Sequence, residues 1–120
     1  MVGEYIPSQG DICFVGLDSA KGFEKKGYRP VIVISSHFFS KMTNMAIVCP
    51  ITTKIREFPT HYELQNTKEV FGSVDAEHIC SIDFRERKFK YIEKNSPLEF
   101  TEIFSLLMSE IDFDMNTIKE

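Results

Sequence analysis

The sequence has no tryptophan, and only three cysteines and three histidines in 120 residues. Cys13, Cys49 and Cys80 are widely spaced, form no C-x-x-C pair and are odd in number, so neither a zinc ribbon nor a disulfide framework is expected. No apolar run approaches the roughly 20 residues that cross a bilayer, and the first residues lack the basic, apolar, small-residue order of a secretory leader. A cytoplasmic protein with no membrane partner is the expectation. Gly-rich phosphate loops, H-E-x-x-H and G-x-S-x-G are missing, which disfavours nucleotide, zinc-protease and serine-hydrolase chemistry. Repeats, low-complexity stretches and Pro/Gly/Ser-rich linkers are lacking too, so residues 1–120 read as one domain, with 112–120 as a fraying tail.

What is present suits a folded core: 42% of the residues are hydrophobic and 27% charged. The net charge of −4 hides an asymmetry. Residues 1–91 carry 12 Lys/Arg against 11 Asp/Glu, whereas residues 92–120 carry seven acids and only Lys94 and Lys119. A site built in the first three-quarters of the chain can therefore be locally positive. The molecule as a whole exerts no long-range pull on phosphate, so nucleic-acid binding would be weak and salt-sensitive.

Short β-rich runs dominate the pattern. Residues 12–17 follow Gly10-Asp11, and the Lys-rich segment 18–27 reads as a loop. Val31-Ile32-Val33-Ile34 is β-branched throughout, as in a strand covered on both faces. Residues 37–42 suggest a short helix under a serine cap, and 45–49 a buried strand stopped by Pro50. Residues 61–64, 72–76 and 87–92 are further strand candidates. Ser96-Pro97-Leu98-Glu99 combines a serine N-cap, proline at N1 and glutamate at N3. Phe100, Ile103, Phe104, Leu107 and Ile111 then recur at helical spacing, giving a stripe that must dock on the sheet or a second subunit. Five or six short strands and a terminal helix describe a mainly β fold, a small SH3-like barrel with an appended helix.

Two segments carry residues suited to phosphate chemistry. Gly22 to Pro30 places Glu24 among Lys21, Lys25, Lys26 and Arg29 in a glycine-bounded loop entering a strand. Arg29 can fork onto two phosphate oxygens and stabilise a phosphorane; a solvated basic loop would look the same. Pro50 to Arg56 sets Thr52 and Thr53 beside Lys54 and Arg56 at a strand end, where threonines also serve merely as β formers or caps. His37, His61 and His78 are formal acid–base candidates, although no spacing ties them to a nucleophile or a metal. Phe84, Phe89 and Tyr91 interleave with Arg85, Arg87, Lys88 and Lys90, which suits stacked single-stranded RNA and equally an ordinary half-exposed strand.

Taken together, the segments Gly10-Asp11-Ile12, Gly22-x-Glu24-x-x-Gly27-x-Arg29-Pro30, Pro50-Ile51-Thr52-Thr53, Phe58-Pro59-Thr60-His61 and Glu77-His78-Ile79-Cys80-Ser81-Ile82-Asp83 resemble, in collinear order, the MazF/PemK family of toxin endoribonucleases. The resemblance implies an SH3-like barrel that forms a homodimer and cleaves single-stranded mRNA at short sequences. Cleavage would need no metal or cofactor and would leave a 2′,3′-cyclic phosphate and a 5′-hydroxyl. It puts Arg29 and Thr52 on the catalytic pair and Glu24 on an assisting acidic position. Phe23, Lys25, Lys26, Thr53, Lys54, Arg56, His61 and His78 are then expected to bind substrate. An antitoxin with a disordered acidic tail would occupy the same groove. The loop departs from the usual Gly-Ser-Glu-Gln at Phe23 and Lys25, and His78 stands where glutamine is common. Two other readings remain open at this stage: a non-enzymatic CcdB-like toxin that binds DNA gyrase, and a catalytically inactive member acting as a binding subunit.

Overall fold

The computed structural model describes residues 4–16, 28–54 and 58–112. Among the described residues seven strands and two helices follow one another as β1 (Asp11–Gly16), β2 (Tyr28–Val33), α1 (His37–Thr43), β3 (Met45–Thr52), β4 (His61–Glu63), β5 (Ser73–Asp75), β6 (Cys80–Asp83), β7 (Lys90–Lys94) and α2 (Pro97–Glu110). A 3-10 turn at Ala76–His78 links β5 to β6. All pairings are antiparallel, in the order β4-β5-β3-β2-β1-β7, with β6 also on β3. Among the described residues the ladder does not close on itself, and its mainly β character with a C-terminal helix agrees with the expected small-barrel class.

The consecutive β-branched residues are explained by cores on both faces. Ile12, Ile32, Ile34, Cys49 and Ile51 point to one side, where Ile103 and Leu107 of α2 cover them. Their neighbours Cys13, Val15, Val31, Val33, Ala46 and Val48 point to the other and pack on Phe84, Tyr5 and Phe89. Alternation along each strand thus feeds two clusters at once. Burial pushes the Cys13 and Cys49 thiols up to about 12, which leaves them protonated and unreactive.

Several expectations are corrected. β3 does not stop at Pro50 but continues to Thr52. On one side β3 pairs with β6 up to Val48 and with β5 from Ile51, so Pro50 falls between two ladders, where no bond on that side asks for its missing N–H. The strand expected at 87–92 is shifted to Lys90–Lys94, because residues 84–88 form a turn. β6 is an additional strand, too polar in sequence to stand out.

The helix start is as expected: Ser96 Oγ accepts from Glu99 N at 3.2 Å. The Glu99 carboxylate, however, is buried and spans two segments, accepting from Gln65 N at 2.6 Å and from Asn95 Nδ2 at 2.9 Å. Ile111 leaves the stripe and is exposed.

Candidate functional site

A groove of about 360 Å³ opens where β2, β3, β4, β5 and the 3-10 turn converge, lined by Arg29, Pro50, Ile51, Thr52, Lys54, His61, Asp75, Glu77 and His78. β2 and β3 position its cationic side. Their antiparallel register pairs Val31 with Pro50; carried two residues further along both strands, it sets Arg29 across from Thr52 on the same face. Arg29 is exposed, and among the described residues neither it nor Lys54 is engaged by a carboxylate.

The Thr52 hydroxyl is held from behind. Lys54 N donates to Thr52 Oγ1 at 3.1 Å, which fixes the oxygen and leaves its own hydrogen free to donate. Gly72, at φ +143°, lies so close to the Thr52 carbonyl oxygen that a Cβ there would overlap it. The residue after Phe71 therefore has to be glycine for the strand end to sit where it does.

The opposite wall is acidic and imidazole-rich. Asp75, at the end of β5, stands between two histidines: His78 Nδ1 meets Asp75 Oδ2 at 2.7 Å, and His61 Nε2 lies 3.3 Å from Asp75 Oδ1. The first contact is a hydrogen bond. That bond, together with the Asp75 charge, holds the His78 imidazole above its ordinary 6.5. The second contact has ion-pair distance but not hydrogen-bond geometry. Both His61 ring nitrogens and Asp75 Oδ1 are buried without a hydrogen-bond partner among the described residues, and the His61 side chain is only 6% exposed. Glu77 Oε1 accepts from Thr60 Oγ1 at 2.7 Å. Glu110 on α2 is close enough that, besides burial, the charges of Glu77 and Asp75 raise its carboxyl.

Of the residues expected from sequence, Arg29, Thr52, Lys54, His61 and His78 share this groove, and Thr53 is exposed next to it. Phe23, Glu24, Lys25, Lys26 and Arg56 lie outside the described residues. His37 is elsewhere, with Ser8 Oγ 3.2 Å from its Nδ1. The second basic cluster serves the fold: Arg85 pairs with Glu4 at 2.7 Å, bonds Asn44 and lies over the Phe84 ring, while Arg87 Nη1 donates to Gly16 O. Asp75 and Glu77 are the lining residues that sequence reading did not single out. The compact Asp75-x-Glu77-His78 run was the available signal, and only the fold reveals its convergence with His61.

Residues 8–110 match the family described as PemK-like, MazF-like toxin of type II toxin–antitoxin system. The chain is 34% identical over 87 residues to the endoribonuclease toxin MazF of Escherichia coli (strain K12), covering 72% of this chain and 78% of that protein. It is 29% identical over 115 residues to the endoribonuclease EndoA of Bacillus subtilis (strain 168), covering 90% and 99%. Among solved structures, a MazE-MazF crystal structure from Deinococcus radiodurans superposes with a TM-score of 0.80 at 23% identity, covering 92% of this chain and all of that one.

Proposed function

The chain belongs to the PemK-like, MazF-like toxins of type II toxin–antitoxin systems, and from that premise we propose that the Arg29–Thr52 groove is where it cuts RNA. It is an endoribonuclease, as its relatives are named, and the gyrase-binding alternative is not favoured. The observation that carries the site assignment is the convergence of Arg29 and Thr52, from separate strands, on one groove that also holds Lys54 and His78.

Attack of a ribose 2′-hydroxyl on the adjoining phosphorus needs a proton acceptor, stabilisation of the phosphorane and a proton for the departing 5′-oxygen. Arg29 supplies charge and a two-pronged donor; a guanidinium holds its proton and is a poor base, so its role is electrostatic. Thr52, its oxygen fixed by Lys54 N, donates its free hydrogen to a phosphate oxygen. Glu24 or a water takes the 2′-hydroxyl proton, and a water gives one to the departing 5′-oxygen. The products are a 2′,3′-cyclic phosphate and a 5′-hydroxyl. Metal is not required, because the cation over the phosphate comes from the protein.

The substrate is single-stranded mRNA. Lys54, His61 and His78, with Phe23, Lys25, Lys26, Thr53 and Arg56, bind it along the groove. The working unit is a homodimer of one toxin domain per chain, in the cytoplasm. Its antitoxin lays a disordered acidic tail over Arg29 and Lys54, occupying the place of RNA. No helix among the described residues is long and apolar enough to cross a membrane.

The direct test is incubation of the purified protein with single-stranded RNA in EDTA, followed by mapping of the 5′ ends. Cleavage in EDTA that disappears in Arg29→Ala is expected. Undiminished cleavage by Arg29→Ala, or cleavage only with added metal, would remove the proposal.

A further inference from the structure

The groove wall formed by His61, Asp75 and Glu77 contains a feature that the phosphate chemistry at Arg29 and Thr52 does not use. His61, Asp75 and Glu77 each offer one ligand atom, and these atoms all lie within 4.8 Å of one another. A buried imidazole with neither nitrogen hydrogen-bonded is costly, since each such group forfeits about 1–3 kcal/mol of solvation. Asp75 Oδ1 is orphaned beside it. The His61 Nε2 to Asp75 Oδ1 separation of 3.3 Å fails as a hydrogen bond. It matches the edge of a tetrahedral zinc site, where ligands about 2.0–2.1 Å from the ion stand about 3.4 Å from each other.

We propose that His61 Nε2, Asp75 Oδ1 and a Glu77 carboxylate oxygen form a divalent transition-metal site of the zinc class, with its fourth position open to the groove. The two carboxylates already have supporting partners, while His61 Nδ1 has none among the described residues. Asp75 uses its other oxygen for His78 Nδ1, and Glu77 is steadied by Thr60 Oγ1, so both carboxylates are oriented by groups that are not ligands. Glu110 of α2 adds a third carboxylate nearby, which offsets the positive charge that Arg29 and Lys54 bring to the same groove. One nitrogen and two oxygen donors suit Zn²⁺ or Co²⁺ and leave Mg²⁺, which prefers an all-oxygen octahedron, a poor competitor. Three protein ligands with one open position is the arrangement of an exchangeable site, not of a closed structural one. This site is separate from the cleavage chemistry, which proceeds without an ion.

The test uses the intact, EDTA-treated and dialysed protein without RNA, so its outcome does not depend on nuclease activity. Titration with Co²⁺ should give the intense visible bands of a four-coordinate ion, saturating at one per chain, and Zn²⁺ should displace them while Mg²⁺ in large excess should not. His61→Gln and Glu77→Gln should each weaken binding roughly 100-fold, and His78→Gln roughly 10-fold through the loss of Asp75's partner. Cys80→Ser, which removes the exposed thiol, should bind as the wild type does. Circular dichroism confirms that the variants are folded; Glu77 is exposed, so its substitution leaves the core intact. Lack of saturable Co²⁺ binding, the weak spectrum of a six-coordinate ion, unchanged affinity in His61→Gln and Glu77→Gln, or loss in Cys80→Ser would each overturn the proposal. EDTA-resistant cleavage can succeed or fail independently of all these results.

Discussion

Two sets of acidic residues in this molecule are handled in opposite ways. Glu93 and Glu99, near the start of α2, are saturated with donors: Glu93 accepts from the backbone N–H groups of Lys68, Glu69 and Val70, and Glu99 from Gln65 N, Asn66 N and Asn95 Nδ2. They tie the segment 65–70 to β7 and α2. In the groove, Asp75 Oδ1 and the His61 beside it have no hydrogen-bond partners, and Arg29 and Lys54 have no carboxylate on them among the described residues. Identical side-chain chemistry thus does two jobs. Where both oxygens are engaged the carboxylate is architecture, and where one is left over the site has capacity for a ligand.

The sharpest way to break this contrast is to make one substitution in each region and ask which property falls. Thr52→Ala should lower the rate of RNA cleavage by about 10²–10³, the usual cost of one donor to a transition-state oxygen, with little change in melting temperature. Thr52→Ser keeps the donor and should recover most of the rate. Glu99→Ala should do the reverse. Three donors lose their acceptor, so about 3 kcal/mol of stability should disappear in a denaturant titration, while the protein still folded cleaves normally. If Glu99→Ala abolished cleavage without loss of stability, the division of labour would be wrong.

Acid sharpens the comparison further. Burial alone would raise the Glu93 carboxyl, but three backbone N–H bonds and Lys68 outweigh it and hold the group below its ordinary 4.5. A carboxylate whose folded-state pKa is depressed gives stability that is complete above the unfolded value and fades as the pH falls through the folded one. Stability should therefore decline below about pH 4.5. Glu93→Gln, which cannot titrate, should flatten that part of a pH series of denaturant midpoints. The smallest expected effect is at Ile111, exposed at the end of α2. Ile111→Ser should change stability by no more than about 0.5 kcal/mol, as measured by thermal melting.

The same contrast explains what could be read in the sequence. The α2 boundary was legible because Ser96, Pro97 and Glu99 act locally, within one turn. The runs feeding the two cores were legible because alternation is a local property of β1, β2 and β3. Arg29 and Thr52 were candidates by residue type, and the resemblance joined them as a pair; their places two residues beyond the Val31–Pro50 pair follow from a register that only pairing reveals. β6 and the shift of β7 were not legible, since a polar strand is stabilised by its partner and not by its own composition. The His61–Asp75–Glu77 convergence was invisible for the same reason: the contact joins β4 to the end of β5, and nothing in the spacing of residues 61 and 75 announces that they meet.

Gly72 has a consequence for how such a groove can diversify. With a bare α-carbon against the Thr52 carbonyl, the seat of that strand end is set largely by main chain on main chain. The walls of the cleft are free to exchange glutamine for histidine, or to gather new acids, without moving the hydroxyl. Variation along the walls of the cleft is thereby uncoupled from the placement of the Thr52 hydroxyl.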